Sequence, residues 1–324
     1  MSKTTETKIV FGKDGWQGII ADDFTFENVW QVTRAIALYL EATHTQNRPV
    51  LIGYDTRFLA DRFAYSAAET LTDFGRTVKI VDRDCPTSVI IDRVRAIDSA
   101  GALMFTAGNK PAKYCGIKYI PDDAAPATAE ITDRIVANLD KVDNSPPSGK
   151  NKQKILNFDP KPEYLKSIYN LLNIDVLRSA TLKVKYDALY STARGYLDAV
   201  CDYCHIDLES FHTTRDVLFG GGLSEITDEY LQQLIESVKK DKADLGVAIG
   251  GDGSQLAIVD DRGRILKDNE ILSILADRLK GKSFDNTNIL ERDRILASIL
   301  VAETIAIEGK PLSQLVEEAT VKLS

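Results

Sequence analysis

Residues 103–120, LMFTAGNKPAKYCGIKYI, set a polar loop between two apolar runs. Leu103, Met104 and Phe105 read as the end of a buried strand and residues 117–120 as a second strand, so 106–116 is expected to be an exposed strand-to-strand loop. Loops held by rigid strands are where binding and catalytic side chains concentrate. Asn109, Lys110 and Lys113 within this loop, with Lys118 just past it, offer hydrogen-bond donors and positive charge to a small anion. A second group, Cys201-Asp202-Tyr203-Cys204-His205, spells the C-x-x-C-H pattern of haem attachment and, with His212, an incomplete zinc set. A structural zinc site needs a second ligand pair, and the segment falls where a helix is expected to end. Packing of buried thiols is therefore the reading for Cys201 and Cys204.

The chain has 324 residues, of which 40 are basic and 48 acidic, for a formal charge of −8 with 44% hydrophobic residues. That length allows two or three domains with sizeable cores. No dense basic run supports nucleic-acid binding, so an anion must be held by a local cluster of Lys and Arg. The opening MSKTTETKIVF lacks the apolar core of a signal peptide, and no later run is long enough to span a membrane. A cytoplasmic location is expected, with the four Cys as free thiols.

The elements that must position the loop follow a regular order. Thr25 can cap a helix in which Val29, Val32, Ile36 and Leu40 recur at helical spacing. Strands are expected at 50–54, 78–81, 182–186, 206–211, 245–249 and 256–260, and helices at 61–74, 88–96, 127–139, 195–204 and 227–240. This alternation implies the α/β class with mostly parallel sheets. The Pro-, Ser- and Lys-rich stretch 141–154 is the expected linker, which gives a first domain at 1–140, a second at 155–260 and a helical remainder at 261–324. Apolar residues of that remainder, among them Ile271, Leu275, Ile295, Ile299 and Leu300, must either fold back on the second domain or meet another subunit.

Several loops, in order, resemble those of the α-D-phosphohexomutases, the phosphoglucomutase and phosphomannomutase family. Residues 11–18, FGKDGWQG, are similar to F-G-T-D-G-x-R-G, and Tyr54-Asp55-Thr56-Arg57 to G-Y-D-x-R. The 106–118 stretch resembles the phosphoserine loop T-A-S-H-N-P-x-x-Y-N-G-x-K, and Gly250-Gly251-Asp252-Gly253-Ser254-Gln255 the metal loop D-G-D-x-D-R. Phe219-Gly220-Gly221 also matches. The resemblance implies two phosphohexomutase-type three-layer α/β domains, a helical remnant of a third, and no fourth.

Four departures bear on function. Gly108 stands where the family has its phosphoserine, and Gln17 where it has an Arg. Gly250 and Ser254 replace two of three metal-binding Asp, leaving Asp252. The sugar-selecting loop G-E-E-S-G-H has no counterpart between 279 and 289. The resemblance so modified implies a truncated relative without mutase activity, acting as a module that binds a sugar phosphate or a protein. The ligand would be a hexose phosphate on Lys13, Arg57, Lys110, Lys113 and Lys118. No metal cofactor is expected, magnesium entering only if other ligands complete the site at Asp252. A homo-oligomer or protein partner is expected through the C-terminal helices, and no nucleic acid or membrane. The alternative left open is a weakly active or altered phosphohexose mutase or phosphatase.

Overall fold

The computed structural model describes residues 9–12, 15–43, 45–221, 226–279 and 289–323. The chain divides into two compact units, Met1–Pro160 and Lys161–Ser324, each built on its own sheet.

The first unit runs β1 (Trp16–Ile19), α1 (Phe26–Glu41), β2 (Val50–Tyr54), α2 (Ala60–Asp73), β3 (Val78–Val81), α3 (Thr87–Ala96), β4 (Ala102–Phe105), β5 (Tyr114–Ile120), α4 (Ala129–Leu139) and β6 (Ile155–Phe158). Its sheet has the order β1-β5-β4-β2-β3-β6. β2 is parallel to β3 and β4, β3 is parallel to β6, and β5 is antiparallel to β1 and β4. Val50, Leu51 and Ile52 are fully buried, as a central parallel strand covered on both faces requires. Thr25 caps α1 as expected, its hydroxyl accepting the Asn28 amide at 3.3 Å, and Val29, Val32, Ile36 and Leu40 line the buried stripe. Trp16 stacks on Phe24 at 4.6 Å between ring centres, and Phe24 meets Phe63 edge-on at 4.9 Å, which ties β1 and α2 into one core.

Three features depart from the sequence reading. The sheet is mixed rather than mostly parallel at this edge, because the 106–113 loop joins β4 to an antiparallel neighbour. Residues 16–19 form a strand, not only a tight loop: Gln17 pairs with Gly116 and Gly18 with Cys115, and this pairing starts β5 at Tyr114 instead of Ile117. A Cβ at Gly116 would lie 2.5 Å from the Thr106 carbonyl oxygen and 2.7 Å from that of Trp16, so the close approach needs glycine there. Residues 155–158, expected to open the second domain, instead extend the first sheet through Val78↔Ile155 to Val81↔Phe158. Their burial shows no strand alternation, since β6 is a short edge strand with its middle residues exposed.

The second unit runs α5 (Lys161–Tyr169), α6 (Ile174–Ser179), β7 (Lys183–Asp187), α7 (Tyr196–Tyr203), β8 (Asp207–Phe211), α8 (Asp228–Asp241), β9 (Leu245–Gly250), β10 (Gln255–Asp260), α9 (Asp268–Leu279), α10 (Ile289–Arg292), α11 (Arg294–Glu308) and α12 (Leu312–Leu323). The sheet order is β10-β9-β7-β8, with β7 parallel to β8 and β9, and β10 antiparallel to β9.

Every residue from 295 to 305 in α11 is buried. The helix packs against α6, α7, α9, β9 and β10, and a helix enclosed on all sides is apolar all round. Ile299 is 2% exposed and Ala302 1%, so this stretch of α11 is internal to the second unit. Asp293 caps it, accepting the amides of Ile295 and Leu296 at 3.1 and 3.0 Å and the Tyr164 hydroxyl at 2.9 Å. The stretch 280–288, where no sugar-selecting loop is expected, lies outside the described residues. Among the described residues no helix is long and apolar enough to cross a membrane.

Candidate functional site

The 106–113 loop hangs from two adjacent strand ends, since β2 and β4 are paired through Tyr54↔Phe105. β2 runs into Asp55, Thr56 and Arg57, all fully buried, and β4 runs into the loop. Asp55 Oδ1 accepts the Arg57 backbone N–H at 3.0 Å and Oδ2 accepts Nε at 2.9 Å. The rest of the guanidinium turns inward to the loop: Nη1 donates to the carbonyls of Pro111 and Tyr114 at 2.8 and 3.0 Å, and Nη2 to those of Gly108 and Lys110 at 2.8 and 2.7 Å. All five guanidinium N–H groups are thus engaged by the chain itself. Arg57, expected to hold a ligand, is instead the peg around which the loop backbone is wound.

Gly108 has φ +57°, in the left-handed region, and a Cβ built there would meet nothing within 4 Å. Its amide donates to the Thr106 hydroxyl at 3.0 Å, and the Lys110 amide donates to the Ala107 carbonyl at 3.1 Å. The loop therefore offers room but no nucleophile at this position. Cys115 is no replacement, because it is fully buried and burial pushes its thiol far above the usual range, whereas a reactive thiol needs the opposite shift.

Asn109, Lys110 and Lys113 are exposed. The Lys110 ammonium lies 5.0 Å from the centre of the Tyr114 ring and that of Lys113 5.7 Å, so one aromatic ring gathers two cations. Lys118 is half-buried on the same face of β5 as Tyr114 but about 13 Å further along the strand. Gln17 lies at the root of the loop, opposite Gly116. Lys13 lies outside the described residues.

In the second unit, residues 251–254 make a tight turn between β9 and β10, closed by Gly250↔Gln255. Gly251 and Gly253 take φ +60° and +81°, and Asp252 between them is 4% exposed. The Gly251 carbonyl accepts the Thr192 amide at 3.2 Å, and the Ser254 carbonyl accepts Arg294 Nε at 3.1 Å. Cys201 and Cys204 are buried, with burial pushing the Cys204 thiol up to about 11 and Cys201 higher still. These are packing thiols, as the sequence suggested.

One pair in this unit escaped the sequence reading. Asp187 ends β7, fully buried, and its Oδ1 lies 2.9 Å from His212 Nδ1 just past β8. Burial raises the Asp187 carboxyl above its ordinary value, against the opposing pull of the Leu189 amide and His212. The signal available was an acidic residue at the carboxyl end of a parallel strand.

The loops and sheets agree with the comparisons to known proteins. Residues 8–146 match the family model for phosphoglucomutase/phosphomannomutase alpha/beta/alpha domain I, and residues 162–263 that for domain II. Phosphoglucosamine mutase of Bacillus cereus (strain B4264) is 27% identical over 295 residues, which are 90% of this chain and 63% of that protein. The chain thus spans less than two thirds of the length of this curated relative. A phosphomannomutase candidate from Thermus thermophilus superposes with a TM-score of 0.87 at 22% identity, covering 97% of this chain and 83% of that one. N-acetylphosphoglucosamine mutase of Aspergillus fumigatus, solved with GlcNAc-6P and magnesium, gives 0.50 at 11% identity, over 96% of this chain and 80% of that one. With both α/β units matched over most of the chain, this protein belongs to the phosphoglucomutase/phosphomannomutase family.

Proposed function

We propose that this chain binds a hexose phosphate at the 106–113 loop of its first unit, in the cytoplasm, and passes no phosphoryl group through that loop. The observation that carries the reading is Gly108: the loop backbone is kept in shape by Arg57, yet the position that holds the phosphoserine in the family has no side chain. Phosphoryl transfer through a covalent carrier at this position needs a side-chain nucleophile, which glycine does not have. Lys110 and Lys113, gathered at Tyr114, are the cations placed to meet a phosphate. The GlcNAc-6P of the Aspergillus relative supports a sugar phosphate as the class of ligand.

Magnesium, present in that relative, is ill matched to the residues here. It demands octahedral oxygen ligands and carboxylate charge to offset its reluctant dehydration. The 250–255 turn supplies one carboxylate, Asp252, with Gly250 and Ser254 in the flanking positions.

Calorimetric titration with glucose 6-phosphate and glucose 1-phosphate tests binding, and a joint Lys110→Ala, Lys113→Ala variant, which removes both cations, should bind at least about tenfold more weakly. In parallel, purified protein given glucose 1-phosphate, Mg²⁺ and a hexose bisphosphate should show no conversion above buffer. Conversion that disappears in Asp252→Ala would overturn the reading and favour an altered mutase.

A further inference from the structure

The carboxyl edge of the second sheet holds side chains that the proposed phosphate site does not use. Asp187 Oδ1 accepts the Leu189 amide at 2.9 Å and faces His212 Nδ1 at the same distance. Among the described residues its other oxygen, Oδ2, is buried without a hydrogen-bond partner. A carboxylate oxygen that already accepts an amide calls for a donor at its second contact, so Nδ1–H of His212 donates and the lone pair of the ring is on Nε2. The His212 side chain is 29% exposed. The Tyr190 ring lies 4.8 Å from the imidazole, and a Cβ at Gly220 would lie 2.5 Å from that same Tyr190 ring. The imidazole is therefore steered by a carboxylate at one nitrogen and by a wedged aromatic ring beside it.

The backbone around the pair is costly. Leu189, Tyr190, His212 and Phe219 have φ of 46°, 55°, 52° and 51°, conformations that cost a residue with a side chain about 1 kcal/mol or more. Strain of this kind sits beside a buried carboxylate whose second oxygen has no partner among the described residues. The location is apt as well. β8 and β9 lie on opposite sides of β7, and the carboxyl ends of strands at such a switch point form the crevice where open α/β sheets take their ligands. The Thr192 amide, bonded to the Gly251 carbonyl, ties this edge to the turn that carries Asp252.

We propose that His212 is a ligand-binding residue of the second unit, its Nε2 accepting a hydrogen bond from a hydroxyl group of a hexose phosphate, and that Asp187 is the positioning residue that fixes the tautomer. The choice of ligand rests on the hexose-phosphate reading above; the Asp187–His212 geometry does not.

Carbethoxylation of histidine by diethyl pyrocarbonate, mapped by peptide mass, reports the accessibility and reactivity of His212 separately from His44 and His205. In the intact protein, glucose 6-phosphate should slow modification of His212 and leave His205 unchanged, while inorganic phosphate has no such effect. Asp187→Asn, checked for folding by circular dichroism, should change the rate of His212 modification severalfold and leave that of His205 unchanged, because Nδ1–H then loses the carboxylate that holds Nε2 as the free nitrogen. Calorimetric binding of glucose 6-phosphate without protection of His212 overturns this assignment and leaves the loop reading standing. Absence of any such binding overturns both. Equal protection by inorganic phosphate shows that no hydroxyl is being recognised, and a folded Asp187→Asn with unchanged His212 reactivity removes the positioning role.

Discussion

The loop at Gly108 and the edge at Asp187 both follow the carboxyl ends of buried strands, and both contain a buried ionised group, but they treat it in opposite ways. In the first unit the Arg57 guanidinium has all five donors matched, three of them to carbonyls of the loop it shapes and one to that of Tyr114 at the start of β5. In the second unit Asp187 leaves an oxygen unmatched among the described residues, while Leu189, Tyr190, His212 and Phe219 around it are held at positive φ. A charge whose partners are all internal stabilises a frame and has nothing left for a ligand. A buried carboxylate that is matched on one side only, with its histidine reaching the surface, keeps chemistry in reserve. The family motif marks the first region, and the unused chemistry sits in the second.

The largest expected effect tests the frame. Arg57→Ala strands the buried Asp55 and frees four carbonyls, and should lower unfolding free energy by about 3–5 kcal/mol in urea titrations. A loss under about 1 kcal/mol would mean that the loop keeps its shape without the peg, and the contrast between the two regions would go with it.

Asp187→Asn should change stability less, by about 1–2 kcal/mol at neutral pH, because the weakened bond to His212 is partly offset by removing a buried charge. Its pH dependence is the sharper measure. Burial raises the Asp187 carboxyl above its ordinary 3.8, so the folded state holds that proton more tightly than the unfolded chain. The stability it contributes is full below 3.8 and is lost as pH rises through the raised value. The Asn variant should lack this loss, so its stability relative to the parent should improve as pH rises across that window. A difference that stays flat with pH would show that the carboxyl is not perturbed.

Gly108→Ser places a side chain at φ +57° but in open space, so about 1–2 kcal/mol of stability should be lost without disrupting the loop. No mutase turnover should appear, since Gly250 and Ser254 still leave Asp252 alone in its turn. Turnover on this one change would mean that the rest of the machinery is intact. The smallest effect on stability belongs to Lys110→Ala with Lys113→Ala, within about 0.5–1 kcal/mol, the scale of exposed cation–π contacts. A larger drop would make these lysines part of the frame and weaken their assignment to a ligand.

Local pattern was enough for much of this protein. The apolar run of β2, the capped stripe of α1 and the strand-loop-strand form of 103–120 follow from burial periodicity and turn chemistry within a few residues. The absence of a hydroxyl at Gly108 and of two carboxylates around Asp252 is a covalent fact that no fold can change. Tertiary structure decided what depends on partners far along the chain. β1 and β6 are edge strands of four residues, too short for alternation to identify, and exist through pairing with β5 and β3. The apolar residues of α11 suited either a core or an interface until the sheet they cover was in place. Arg57 reads as a phosphate ligand from its type alone, and only the return of the loop 51 to 57 residues later gives its donors their acceptors. Asp187 and His212 are 25 residues apart and meet because parallel pairing sets the ends of β7 and β8 side by side. Sequence states which groups are present, and only the long-range pairing of strands states which of them are already spent.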